Sequence, residues 1–144
     1  MDEALALARA AGERGEVPVG AVVVLDGRLL GKAGNASIAQ HDPTAHAEVL
    51  ALRAAAAGTS NYRLPGATLY VTVEPCLMCI GAIIHARVAR LVFGCHDPKA
   101  GAVGSQFDLA ADPRLNHAVA VTAGVGEEEC RALLQRFFRA RRTR

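Results

Sequence analysis

Hydrophobic and polar positions change rhythm several times along the chain, and each change marks an element. The alanine- and leucine-rich opening, Asp2 to Ala10, predicts a helix capped by Asp2 and stopped near Gly15. Gly20 to Leu25 is a β-branched apolar run, and Arg28 to Lys32 is a second short run. Asp26-Gly27 between them predicts a hairpin, because both turn positions need positive φ. After Asp42-Pro43-Thr44, the stretch Ala45 to Ala57 predicts a helix that starts at Thr44 and ends at Gly58. Ala67 to Val73 reads as a strand, and Pro75 as the first residue of a helix running to about Arg87. Leu91 to Phe93 and Val119 to Thr122 read as short strands. Glu127 to Arg141 reads as a closing helix with acids at its start and arginines at its end. A sheet begun by an antiparallel hairpin and continued through helical crossovers is mixed, with helices on both faces. The expected architecture is a three-layer α/β/α sandwich around a central mixed five-stranded sheet. No repeat, linker or low-complexity block interrupts it, so residues 1–144 are read as one domain.

Composition narrows the class. Of the 144 residues, 51% are hydrophobic and 21% charged, the balance of a packed core and not of a disordered chain. The longest apolar run, Val17 to Leu25, is far short of the ~20 residues that cross a bilayer. No secretory signal pattern opens the chain, so the expected compartment is the cytoplasm, where four cysteines are thiols or metal ligands sooner than disulfides. Charge adds a direction. All fourteen acidic residues lie within residues 1–130, whereas the last 14 residues hold six arginines and no acid. That tail, with Arg139, Arg141 and Arg142 at its end, points either to an anionic partner, nucleic acid first, or to a solvated terminal helix.

The candidate chemistry lies in His46, Glu48, Cys76 and Cys79. Cys76 and Cys79 stand three apart, on one face of a helix start, where thiolates are favoured. Taken alone, Cys-x-x-Cys fits a redox pair, half of a structural metal site, or two core thiols. His46 adds an imidazole, and thiolates with imidazole are a zinc set whose fourth position is left to water. Cys95 and Cys130 have no spacing that supplies a fourth protein ligand. In an ideal helix His46 and Glu48 point about 200° apart, so the pair shares a site only by straddling the first turn. His-x-Glu followed by Pro-Cys-x-x-Cys is the signature of the zinc deaminases. In that chemistry zinc supplies hydroxide near neutral pH, and a carboxylate that is not a ligand carries the protons.

The match extends beyond that signature. Glu16-Val17-Pro18-Val19-Gly20, His41 to Glu48, Asn61-Tyr62-Arg63-Leu64, Ala67 to Thr72, Glu74 to Cys79, Gly101 to Ser105 and Phe137-Phe138-Arg139 together resemble the bacterial tRNA-specific adenosine deaminases. These belong to the zinc-dependent cytidine/deoxycytidylate deaminase superfamily, and the blocks run over almost the whole chain. The resemblance implies a cytidine deaminase-like fold and a homodimer that converts the wobble adenosine of a tRNA anticodon, chiefly arginine ACG, to inosine. It implies one zinc per subunit on His46, Cys76 and Cys79, with Glu48 as proton shuttle. It also implies that Asn35 contacts the base, that Val17 and Pro18 wall its pocket, and that Asp97 lies near a neighbouring ribose. By charge, Arg139, Arg141 and Arg142 would meet the RNA backbone. Where the family's usual loop reads Ala-Arg-Asp this chain has Cys95-His96-Asp97, so the backbone contacts that the resemblance implies for an arginine at position 96 would be weaker or pH-dependent; His41, His85 and His117 receive no role. Two other readings stand beside this one. A free-base or nucleoside deaminase acting on guanine, cytosine or cytidine would use the same zinc site. A zinc-bearing tRNA-binding subunit without activity would have no need of Glu48.

Overall fold

The computed structural model describes residues 1–143. Five strands, β1 (Gly20–Leu25), β2 (Arg28–Gly34), β3 (Thr68–Val73), β4 (Arg90–Cys95) and β5 (Ala120–Thr122), form one sheet in the order β2-β1-β3-β4-β5. The pairs β1–β2 and β1–β3 are antiparallel, and β3–β4 and β4–β5 are parallel. The helices are α1 (Asp2–Glu13), α2 (Ser37–Gln40), α3 (Ala47–Thr59), α4 (Leu77–His85) and α5 (Glu127–Arg142). This is the expected mixed five-stranded sandwich.

The hairpin forms as its turn residues dictate, with Asp26 at φ 50° and Gly27 at φ 76°. One residue, Leu30, is left unpaired between Gly31, which faces Val23, and Leu29, which faces Val24. Two glycines set the layers. A Cβ on Gly20 would strike the backbone of α1 at Ala4 and Ala8, and a Cβ on Gly31 would strike α3 at Ala51 and Ala55. Gly31 shares a face with Val23, an odd number of residues from Gly20, so these contacts lie on opposite faces of the sheet. α5 joins α1 through Cys130, which lies against Gly94, and α4 packs beside α3. Leu69, Val71, Ile80, Ile83, Leu91 and Phe93 fill the centre and are fully buried.

Several boundaries differ from the sequence reading. α1 is capped by Met1, and Asp2 makes no capping bond but sits in the first turn, where its charge still favours the helix dipole. α3 begins at Ala47 and not at Thr44. Asp42 Oδ1 accepts from both the backbone N–H and the hydroxyl of Thr44 (2.8 and 2.7 Å), a side-chain turn that holds this segment outside the helix. Likewise α4 begins at Leu77, with Cys76 as its N-cap, so Pro75 precedes the cap. The one-turn helix α2 was not expected. Buried Glu16 clamps it, accepting from the N–H groups of Ile38 and Ala39 at 2.9 Å each. Among the described residues no helix is long and apolar enough to cross a membrane.

Candidate active site

Two helix N-termini meet at one end of the sheet. His46 is the N-cap of α3, extended at φ −77° and ψ 150°, and its carbonyl accepts the first helical bond, from Leu50, at 3.0 Å. Cys76 is the N-cap of α4, extended at φ −76° and ψ 177°, with Ile80 N–H bonded to its carbonyl at 2.9 Å. Cys79 follows in the first turn of α4 and is fully buried. His46 Nδ1 lies 3.4 Å from Cys79 Sγ and 3.7 Å from Cys76 Sγ, and the three donor atoms fall within 4.8 Å of one another. Zn–S and Zn–N bonds of about 2.3 and 2.0 Å at tetrahedral angles put nitrogen and sulfur about 3.5 Å apart. The donor set and its spacing therefore fit zinc.

The extended cap also resolves the His46–Glu48 spacing. His46 lies outside the helical rotation, so Glu48, two residues on and inside the first turn, can open into the same cavity. Glu48 is 4% exposed, and burial raises its carboxyl above the ordinary value. A carboxyl shifted upward in this way suits a group that must both take and give a proton. The Cys79 thiol, hydrogen-bonded to Cys76, draws Cys76 down to about 4, while the same bond and burial push Cys79 up. The bond to Cys76 in turn raises His46. A single negative charge is thus shared over two sulfurs next to a histidine, at the positive ends of two helices.

With Cys79 fully buried beneath them, His46, Glu48 and Cys76 line the floor of a cavity of about 1060 Å³. Asn35 lines it, and its Oδ1 accepts the Ala47 N–H at 2.7 Å. With the carbonyl so engaged, the amide NH₂ is left for a ligand. Val17 lines the cavity too. Pro18 does not: it is fully buried and packs against Gly12 of α1, and Val19 takes the lining position expected of it. Val19 N–H bonds Val17 O at 2.8 Å, a tight three-residue turn centred on Pro18 that leaves 17 and 19, and not 18, on the cavity side. Asp97 lines the cavity, and its Oδ1 accepts from the N–H groups of Lys99 and Ala100 at 3.1 and 3.2 Å. Arg139, Arg141 and Arg142 reach the cavity from α5, joined by Arg131 and Phe138. Arg141 is also tethered, donating to Gly15 O at 2.9 Å and lying 4.8 Å over the Phe137 ring.

Sequence reasoning missed Glu74. Its carboxylate is wholly buried and accepts from the N–H groups of Asp97, Val103 and Ser105, the Ser105 hydroxyl and His96 Nδ1. Burial pushes this carboxyl up, but the hydrogen bonds from Ser105, Val103 and Asp97 outweigh it and hold it below 4.5. Its only sequence signal was a glutamate at the end of an apolar strand. Among the remaining groups, His41 caps α2 in the left-handed conformation, and His85 is exposed. His117 Nε2 bonds Val88 O at 2.7 Å. Cys95 and Cys130 are buried thiols that burial pushes up, the latter to about 11, which disfavours their thiolate forms.

Such a fold and floor define a deaminase. Residues 1–142 match the MafB19-like deaminases, and the chain belongs to that family. Within it, the chain is 54% identical over 143 residues to the tRNA-specific adenosine deaminase of Haemophilus influenzae, covering 99% of this chain and 83% of that relative. A solved structure from studies of A-to-I editing by tRNA:A34 deaminases at the wobble position of transfer RNA superposes with a TM-score of 0.90 at 49% identity. It covers 93% of this chain and 97% of its own. The guanine deaminase of Nitrosomonas europaea is further away, with a TM-score of 0.76 and 28% identity over 94% of this chain and 81% of its own.

Proposed function

We propose that this enzyme hydrolytically deaminates the wobble adenosine of a tRNA anticodon loop to inosine, chiefly in arginine tRNA with ACG. The observation that carries the reading is the single cavity itself. Its floor is lined by His46, Cys76 and Glu48, with the third donor Cys79 buried directly behind, and its rim is lined by arginines of α5. The cavity, about 1060 Å³, is of ligand-pocket size, and it is the row of α5 arginines along its rim that favours a base presented on an anionic polymer over a free base.

Held by His46, Cys76 and Cys79, zinc would bring the pKa of a water toward neutrality. Glu48 takes a proton from the attacking water and delivers it to ring nitrogen N1. It then passes the remaining hydroxyl proton to the departing amine, so that water adds at C6, the C6–N6 bond breaks and ammonia leaves. Asn35, fixed by the Ala47 N–H, orients the base through its free amide, and Val17 and Val19 exclude water from its apolar flank. Asp97 offers its second carboxylate oxygen to a ribose hydroxyl, the group that marks RNA. Arg139, Arg141 and Arg142 contact phosphates.

The whole of residues 1–144 acts as one deaminase domain, working in the cytoplasm, where its thiols stay reduced. It pairs as a homodimer through the outer face of α4, where Leu77 is 51% exposed and a shallow apolar depression lies between Ile84 and Leu115. Light scattering at twice the 15.0 kDa chain mass is the expected result for that pairing.

The deciding experiment gives zinc-loaded protein an ACG anticodon stem-loop, with adenosine, cytidine and guanine as separate substrates, and measures inosine and ammonia. Inosine in the stem-loop is expected. Ammonia from a free base or nucleoside alone would move the enzyme to the small-molecule branch, and no ammonia from any substrate would leave a binding subunit.

A further inference from the structure

Among the buried carboxylates, Glu48 and Glu74 border the cavity, and Glu16 stands next to Val17 of its apolar wall. Glu16 is 3% exposed, and among the described residues no cation pairs with it. A carboxylate taken out of water is costly unless hydrogen bonds replace that water. Both of its oxygens go to one target: Oε1 accepts the Ile38 N–H and Oε2 the Ala39 N–H, at 2.9 Å each. These are the second and third N–H groups of α2, the ones that a helix's own capping side chain takes. α2 has no such cap, since Ala36 precedes it. Nor does apolar packing hold it. None of its residues is buried, Ile38 is 59% exposed, and a single helical turn does not stand alone in water.

Asn35 lies one residue before Ala36. Its backbone N–H bonds Val19 O at 3.0 Å, and its Oδ1 accepts the Ala47 N–H. Glu16 leads directly into Val17 and Val19, and its own N–H is anchored on Ala11 O of α1 at 3.0 Å. One buried carboxylate thus stitches the apolar wall of the cavity to the segment that carries Asn35.

We propose that Glu16 is a positioning residue, which caps α2 from the neighbouring wall and so fixes the Asn35 amide toward the base. This rests on the reading of Asn35 as the group that orients the base. Without the carboxylate two N–H groups of α2 lose their acceptor, and α2 shifts with Asn35 attached to it. The donors of the floor are held separately, by the starts of α3 and α4.

The test compares wild type, Glu16→Gln, Glu16→Ala, Asn35→Ala and the double alanine variant on the anticodon stem-loop. Glu16→Ala is expected to lower kcat/KM by about tenfold to a hundredfold, the cost of a reacting group misplaced by ~1 Å. Zinc content and the salt slope of stem-loop binding should stay at their wild-type values. Glutamine keeps one acceptor but turns an NH₂ toward the other donor, so Glu16→Gln should fall between wild type and alanine. Because Glu16 acts through Asn35, the double variant should be no worse than Asn35→Ala alone. Amide hydrogen exchange read by NMR follows the same contact without turnover. The Ala47 N–H, whose acceptor is Asn35 Oδ1, should exchange faster in Glu16→Ala, whereas the Leu50 N–H, bonded to His46 O, should keep its wild-type rate. Losses that multiply in the double variant, or an unchanged rate at Ala47, would overturn the proposal. So would lost zinc or faster exchange at Leu50, since Glu16 would then support the fold at large and not Asn35. Failure of wild type to deaminate the stem-loop counts against the proposed function, while exchange at Ala47 and Leu50 still decides what Glu16 holds.

Discussion

The floor and the rim of the cavity are built on different physics. On the floor, the caps of α3 and α4 set His46 and Cys76, and Cys79 and Glu48 follow within one helical turn. These groups are buried or half-buried, so the interior strengthens each interaction and salt does little to it. The rim is carried by α5 and the segment after β4, with exposed cations that water and salt screen. Chemistry needs the first kind of site, where a proton and a metal are held at fixed positions. Capture of a long anion needs the second, where attraction acts at a distance and releases readily.

If that division holds, damage to the floor should fall on kcat and damage to the rim on affinity. The largest effect is expected from Cys79→Ala, which removes the fully buried donor of the His46–Cys76–Cys79 set: zinc content measured by atomic absorption should collapse and deamination vanish with it. Glu48→Gln should keep its zinc and its thermal midpoint while kcat falls by about 10³. Retained turnover in that zinc-loaded variant would remove Glu48 from proton transfer.

Glu74 joins floor to rim, one residue before Pro75 and bonded to the loop of Asp97 and Ser105. Glu74→Ala strands several buried donors and should cost about 3 kcal/mol in denaturant unfolding. Its folded-state pKa is depressed below 4.5, so its stabilisation is present above that pH and is lost as pH falls through the folded value. Glu74→Ala should therefore differ most from wild type near neutrality and converge with it in acid. A constant difference down to about pH 2, below the carboxylate range, would refute the ionised hub.

The smallest effects belong to the tail. Truncation after Arg136 should weaken stem-loop binding and flatten its salt dependence by about 0.7 for each phosphate that the tail neutralises. Within the tail, Arg141 already serves the fold by bonding Gly15 O and lying over Phe137, so Arg139→Ala and Arg142→Ala should account for most of that slope. An unchanged slope in the truncation would leave α5 as a solvated helix.

Local rules were enough where the cause was local. Asp26-Gly27 specified its turn because two adjacent residues supply both positive φ angles. The sheet's mixed character followed from an antiparallel hairpin and helical crossovers. The donor set His46, Cys76 and Cys79 was legible because few other chemistries use those side chains at that spacing. What tertiary structure decided depended on residues far apart. The start of α3 moved to Ala47 because the Asp42 side chain turned the chain ahead of it, and that shift is what lets His46 and Glu48 share one cavity. Pro18 was turned inward by α1, a helix contributed from earlier in the chain. Glu74 was silent in the sequence because its donors lie 22 to 31 residues away and converge only once β3, β4 and the following loop have packed. The arginines of α5 read as a charged end of either kind until the helix crossed β4 and brought them to the cavity. Residue type and spacing determine what chemistry is available; only packing determines which groups are buried together, and burial is what raises the Glu48 carboxyl and gathers five donors around Glu74.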